Sequence, residues 1–260
     1  MMSRVVLWHI PISHYNEKVR WALAYKGVQH ERKAPPPPIH MAAALALTRG
    51  REMTFPVLRL DGRAIGDSTA IIAALEERFP EPPLYPADPA DRERALALED
   101  FFDEELGPHI RLLAWHELMK DHPRAEAVAV QSMPGPLQRF PALARRAGAG
   151  FLSVRFQVTD DDRAVVARDK LLGALGRLEA ELGDGEYLVG DHFSVADLTA
   201  ASLFYPLVGP PEGPQVIADP PAAWEELRAE LAERRGYRWV KEMFRRHRQP
   251  ASRGVPAAAS

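Results

Sequence analysis

Five prolines fall within ten residues of this chain, at Pro80, Pro82, Pro83, Pro86 and Pro89. Each fixes φ and removes a backbone donor, so neither a helix interior nor a central strand can run through the segment. It reads as a semi-rigid linker over residues 81–90, and the periodicity differs on its two sides. Ahead of it, strand-like and helix-like stretches alternate; beyond it, no strand-like alternation stands out. At 260 residues, 46% of them apolar, there is enough chain for two ordinary domains. The expectation is a small α/β domain over residues 1–80 and an all-helical domain over residues 91–248, with a disordered tail at 249–260.

Val5 to Ile10 is a continuous apolar run of the kind a strand buried on both faces requires. From Ser13 the spacing becomes helical, with Tyr15, Val19, Ala22 and Leu23 on one face and Gly27 as the stop. Val28 to Lys33 suits a second strand. Pro35 to Pro38 force an extended loop before helical residues resume at Ile39 to Leu47. Phe55 to Leu60 and Arg63 to Ile65 flank Asp61-Gly62, a hairpin signal. Ala70 to Phe79 follows as an apolar-faced helix whose N-cap lies among Asp67 and Ser68. The order predicted is βαβαββα.

Past the linker, Asp91 to Lys120 is helical in pattern, with a kink or break at Gly107-Pro108. Arg163 to Leu182 is a second helix, stopped by Gly183, and Ser194-Val195-Ala196-Asp197 forms a capping box that opens the apolar helix Leu198 to Tyr205. Glu225 to Arg248 closes the domain as one or two helices. Met133 to Gly150 and Pro206 to Pro221 are rich in proline and glycine and read as loops. Arg245, Arg246, His247 and Arg248 read as a solvated cationic cap at a helix end.

The chain has no cysteine, which removes disulfides, cysteine-ligated metals and any protein thiol nucleophile. If thiol chemistry occurs, the thiol is a ligand's. A net charge of −3 gives no electrostatic case for nucleic acid or an anionic membrane. No apolar run approaches membrane-span length, and Val5 to Ile10 lacks a signal-peptide cleavage pattern, so a cytoplasmic protein is expected. Twenty-seven arginines against six lysines suggest a GC-rich bacterial genome. His116-Glu117 followed by His122 lacks zincin spacing, and no metal site is expected.

Chemistry can be sought at three places. Ser13, between a buried strand and a helix, can cap the helix or donate to an anion held by the dipole. Gly-x-Ser-x-Gly is absent, and nothing supports a serine hydrolase. Asp67 and Ser68 repeat this logic: a plain N-cap, or a seat for a zwitterion with its ammonium on Asp67 and its carboxylate on Ser68 and the backbone. Pro56 starts an apolar strand, and base rates favour a trans bond before it.

Taken together and in order, these features resemble the soluble glutathione transferase superfamily, here a bacterial member with serine at the catalytic position. Ser13-His14-Tyr15-Asn16-Glu17-Lys18-Val19-Arg20 is similar to its post-strand motif, Phe55-Pro56-Val57 to the segment whose proline is cis, and Gly66-Asp67-Ser68 to its acid-serine pair. Gly190 to Asp197 resembles its C-terminal capping motif. The resemblance implies a thioredoxin-like N-terminal domain followed by an all-helical one. It implies Ser13 as the catalytic residue, and glutathione as co-substrate, bound by the Phe55 backbone, Pro56, Asp67 and Ser68.

Asn16 stands where thiol-disulfide exchangers carry a second cysteine or serine, and Ser13 cannot form a mixed disulfide. Conjugation, isomerisation or dehalogenation is therefore favoured over reduction. His40, Arg49 and Arg51 lie in the stretch that reaches the glycyl carboxylate, with none singled out. Phe102, His109, Trp115 and His116 are the candidates, by placement, for a pocket holding a small-molecule electrophile. A homodimer is implied as well. The alternatives are a non-catalytic binding or assembly module of the same fold, and an enzyme using another low-molecular-weight thiol.

Overall fold

A computed structural model of the protein describes residues 4–36, 39–131, 158–214 and 220–248. The first domain runs β1 (Val6–Trp8), α1 (His14–Tyr25), β2 (Glu31–Lys33), α2 (Ile39–Thr48), β3 (Val57–Leu60), β4 (Arg63–Gly66) and α3 (Ser68–Arg78), which is the order read from the sequence. The sheet order is β2-β1-β3-β4, with β1 parallel to β2 and antiparallel to β3, and β3 antiparallel to β4. The two-residue period of a strand sorts its side chains. Val5, Leu7, Leu58 and Leu60 join the core built with α1 and α3, while Trp8 and Val57 pack with Phe55 and Ala44 of α2.

Among its described residues the second domain has helices and no strand: α4 (Pro89–Phe101), α5 (Gly107–Lys120), α6 (His122–Gln131), α7 (Asp161–Leu182), α8 (Val195–Val208), α9 (Ala222–Leu231) and α10 (Arg235–His247). Its central helix is α8, which the capping box opens: Asp197 accepts from the Ser194 N–H at 2.9 Å and the Ser194 hydroxyl at 2.8 Å, and also from the Leu188 N–H at 2.8 Å. Every residue of α8 but Pro206 is buried, and one core spans both domains through its contact with α1.

Several sequence expectations are corrected. Pro206 lies inside α8 and does not open a loop; the helix runs on to Val208 and stops at Gly209, whose φ of 58° suits glycine. The Pro206 carbonyl accepts from Trp224 Nε1 at 2.9 Å and the Leu207 carbonyl from Arg228 Nε at 2.6 Å, so α9 satisfies two carbonyls of the last turn, which no intrahelical N–H reaches. The helix α6 was not foreseen. The Phe55-Pro56 bond is cis, as is Glu81-Pro82, against the trans base rate and in line with the family resemblance. The Met133 to Gly150 loop and the 249–260 tail lie outside the described residues.

Between α4 and α5 the chain forms a π turn, Phe102–Leu106, immediately before the expected break at Gly107-Pro108. The Gly107 N–H bonds to the Phe102 carbonyl, five residues back. In that register the Asp103 carbonyl would pair with residue 108, which is proline and has no N–H. The missing donor comes from the other domain: Tyr15 Oη donates to the Asp103 carbonyl at 2.6 Å. Next to it, His14 Nε2 donates to the Gly107 carbonyl at 2.9 Å. The two residues that follow Ser13 therefore dock the domains.

Glycine is required at 107, because a Cβ there would stand 2.1 Å from Tyr15 Oη. Gly107→Ala is expected to break the Tyr15 bond and lower unfolding free energy by about 1–3 kcal/mol. Urea denaturation checks this, and a midpoint equal to that of the parent would count against the docking role.

Candidate functional site

The register of the sheet assembles the site. Trp8 is opposite Val57, and Val57 is opposite Gly66. The residues beyond this line, the 9–13 loop after β1, Phe55-Pro56 before β3 and Asp67-Ser68 after β4, consequently share one end of the sheet. Two helices begin there, α1 and α3, and their unpaired N–H groups and dipoles favour negative charge.

Ser13 is the N-cap of α1; its Oγ accepts from the Asn16 N–H at 3.4 Å. A hydroxyl has one hydrogen and two lone pairs, so capping uses an acceptor position and leaves the O–H to donate. Asn16 is fully buried. It accepts from the Ile10 N–H at Oδ1 and donates from Nδ2 to the Phe55 carbonyl, both at 3.1 Å, fastening the Ser13 loop to the Phe55-Pro56 segment. Nothing in the sequence around Asn16 signals this role, because residues 16 and 55 meet only in the fold.

Asp67 caps α3 through one oxygen, which accepts from the Ala70 N–H at 3.0 Å. The residue is exposed, so its second oxygen faces solvent, and its φ of 66° is a conformation that few residues other than glycine adopt. Ser68 is buried as the first residue of α3. His40 is buried on α2, its ring 6.2 Å from that of Phe55, whereas Arg49 and Arg51 are exposed.

Two buried ionic clusters flank this end of the sheet, and neither was foreseen. In the first, Lys18 Nζ lies 2.7 Å from Glu99 Oε1 and 2.6 Å from Asp103 Oδ2, and donates to Thr69, the neighbour of Ser68, at 3.2 Å. Burial pushes the Glu99 carboxyl up from its ordinary range, against the pull of Lys18. In the second, Arg20 joins Glu17, His9 and the carbonyls of Ile10, Pro11 and Ser13.

Burial, with the Arg20 guanidinium second, holds the His9 imidazole down to about 3; burial, with Arg111 second, does the same for His14. The contacts agree with neutral rings, since His9 Nδ1 accepts from Arg20 and His14 Nε2 must carry the hydrogen it gives to Gly107.

Of the four pocket candidates, the structure places two in packing. Phe102 is fully buried against Phe101 and Phe204. His116 is buried, with Nδ1 2.7 Å from the Val158 carbonyl and Nε2 3.3 Å from Asp161. His109 and Trp115 remain half-buried on α5. Among the described residues no group of acidic and histidine side chains could hold a metal ion, and no helix is long and apolar enough to cross a membrane.

Comparison with known proteins gives matches at both ends of the chain. Residues 7–83 match the glutathione S-transferase N-terminal domain and residues 140–233 the glutathione S-transferase C-terminal domain. A maleylacetoacetate isomerase from Dictyostelium discoideum is 28% identical over 212 residues, covering 78% of this chain and 79% of that protein. A glutathione S-transferase structure from Rhodospirillum rubrum superposes with a TM-score of 0.58 at 25% identity, over 91% of each chain. Another, from Methylobacterium radiotolerans in complex with glutathione sulfonate, gives 0.55 at 23% identity over 90% of this chain and 93% of that one.

Proposed function

The chain belongs to the glutathione S-transferase superfamily, whose co-substrate is glutathione, and from that premise we propose that it lays glutathione across the sheet end and uses the thiolate to attack a small apolar electrophile. The observation that carries this reading is the alignment of Trp8, Val57 and Gly66, which gathers three separate segments into one site. The groups gathered there fit the tripeptide. The solvent-facing oxygen of Asp67 suits the γ-glutamyl ammonium, and the Ser68 hydroxyl with the α3 N–H groups suits its carboxylate. The Phe55 backbone suits the cysteinyl unit, which leaves the sulfur for Ser13.

A thiol of pKa about 8.5 is roughly 3% ionised at pH 7, and a downward shift of two units raises that to roughly 75%. The Ser13 O–H and the α1 N-terminus favour the thiolate. The thiol proton leaves to water and the sulfur lone pair forms the new C–S bond. In a substitution the leaving group departs with its bonding electrons. In an isomerisation the same attack on a conjugated double bond sends electrons to the conjugated acceptor, and after rotation the thiolate is expelled again. The Dictyostelium relative's name supports isomerisation as one form of this chemistry.

Calorimetric titration with glutathione tests the reading. Saturable binding in the micromolar to low-millimolar range is expected. Asp67→Asn should weaken it about tenfold, because asparagine keeps the cap and tolerates the positive φ but loses the charge. Ser13→Ala should leave binding nearly intact and slow thiolate transfer to an aryl halide probe by about 10–100-fold. No heat at millimolar glutathione would sink the assignment in favour of another thiol or a non-catalytic module. We also propose a homodimer, to which Ile39 and Met53, each more than half exposed, offer apolar surface; sedimentation at twice the 29.0 kDa chain mass would bear it out.

A further inference from the structure

The cationic run at the end of α10 is not a uniform solvated cap. Arg245 and Arg246 are on the surface, paired with Glu242, but Arg248 is buried and its Nε lies 2.6 Å from Oε1 of the fully buried Glu17. We propose that Arg248 is a positioning residue of the thiol site, acting through Glu17 and Arg20 on the loop that carries Ser13. Its catalytic consequence rests on the reading of Ser13 above; its effect on the loop does not.

The two arginines are coupled by the carboxylate they share. Glu17 gives one oxygen to each of two guanidinium groups: Oε2 to Arg20 Nε at 2.7 Å, and Oε1 to Arg248. Arg20 then has its two terminal nitrogens for residues 9–13. Nη1 reaches His9 Nδ1 at 3.0 Å and the Ile10 carbonyl at 3.2 Å; Nη2 reaches the Pro11 carbonyl at 3.0 Å and the Ser13 carbonyl at 3.4 Å. Tyr205 Oη takes the Ile12 carbonyl at 2.6 Å. Four successive carbonyls of the loop are thus held by side chains.

A carboxylate facing a single guanidinium prefers two parallel bonds, through Nε and a terminal nitrogen. Remove Arg248, and Glu17 Oε1 is released to claim Arg20 Nη2, which lets go of Pro11 and Ser13. Arg248 prevents this by occupying Oε1. Trp21 Nε1 bonds to the His247 carbonyl at 3.0 Å, and the His247 ring stacks on Phe193, so the end of α10 stays seated when the arginine is replaced. Among the described residues the charged and titratable neighbours of the cluster are His9, His30, Arg32 and Tyr205.

The test compares full-length wild type, Arg248→Gln and Arg248→Lys. Without glutathione, the amides of Ile10 and of residues 12–16 should exchange about tenfold faster in Arg248→Gln, with the β3–β4 hairpin unchanged, and Arg248→Lys should restore protection. With glutathione and an aryl halide, Arg248→Gln should lose about tenfold in kcat with KM for glutathione within about twofold, and the acid limb of its pH–rate profile should move up by about one unit. Wild-type loop exchange and an unmoved pH profile in folded Arg248→Gln would overturn the proposal. So would faster exchange spread evenly over the chain, which marks a merely structural anchor. Absence of glutathione binding by the wild type overturns the Ser13 reading separately, because the exchange comparison needs no glutathione.

Discussion

Lys18→Met should lower the unfolding free energy by about 3–5 kcal/mol, because it strands two carboxylates around an emptied cation site. The Lys18 and Glu99 side chains are fully buried and Asp103 is 16% exposed. Lys18 spends its three hydrogens on Glu99, Asp103 and Thr69, while Glu99 Oε2 and Asp103 Oδ1 already lack hydrogen-bond partners. Methionine fills the volume and supplies none of the donors. Lys18→Met combined with Glu99→Gln should recover part of the loss, since one stranded charge disappears and an amide can still donate. Urea titrations of the three proteins decide it; a single variant within 1 kcal/mol of the parent by that rough scale would contradict a buried cation holding the joint.

Acidification should be the other large effect. His9 and His14 fold with pKa values of about 3, against an ordinary 6.5. The unfolded chain therefore binds protons first as pH falls, and the stability these neutral rings contribute is complete above pH 6.5 and lost progressively down to about 3. At 1.36 kcal/mol per unit the ceiling is about 5 kcal/mol for each ring. Asp197 works in the opposite sense. Burial pushes it up to about 6 in spite of the N–H and O–H groups of Leu188 and Ser194, so its protonation returns part of the loss below pH 6. The net expectation is a fall of several kcal/mol between pH 6.5 and 3. His14→Gln, which can still donate to the Gly107 carbonyl, should flatten that slope. Urea midpoints measured across this range give the answer; an unchanged slope in His14→Gln would remove His14 from the account.

The elements ahead of the linker were legible because their signals are local: an apolar run, an Asp-Gly turn, a helix cap. The capping box at Ser194 was legible for the same reason. Periodicity failed where a helix is surrounded. In α1 the apolar face predicted from Tyr15, Val19, Ala22 and Leu23 exists, but Asn16, Glu17, Lys18 and Arg20 are buried too, because α3 and α8 also pack against the helix. A polar residue next to a partner hundreds of positions away looks like surface, as Arg248 did beside Glu17. The candidate site followed a similar division. Ser13, Phe55, Pro56, Asp67 and Ser68 could be named from motifs, whereas Asn16 and Arg20, which hold the Ser13 loop, depend on contacts that no motif records.

The π turn at Phe102–Leu106 has one more consequence. Such a turn is an α-helix that has taken in one extra residue, and one residue corresponds to about 100° of helical rotation. Deleting it would turn α5 by that angle about its axis and carry His109 and Trp115 round to a different bearing without altering a side chain. Which residues α5 shows to its surroundings is thus encoded in the length of the chain at this point, so relatives with the same α5 sequence but an unbroken helix would present another face.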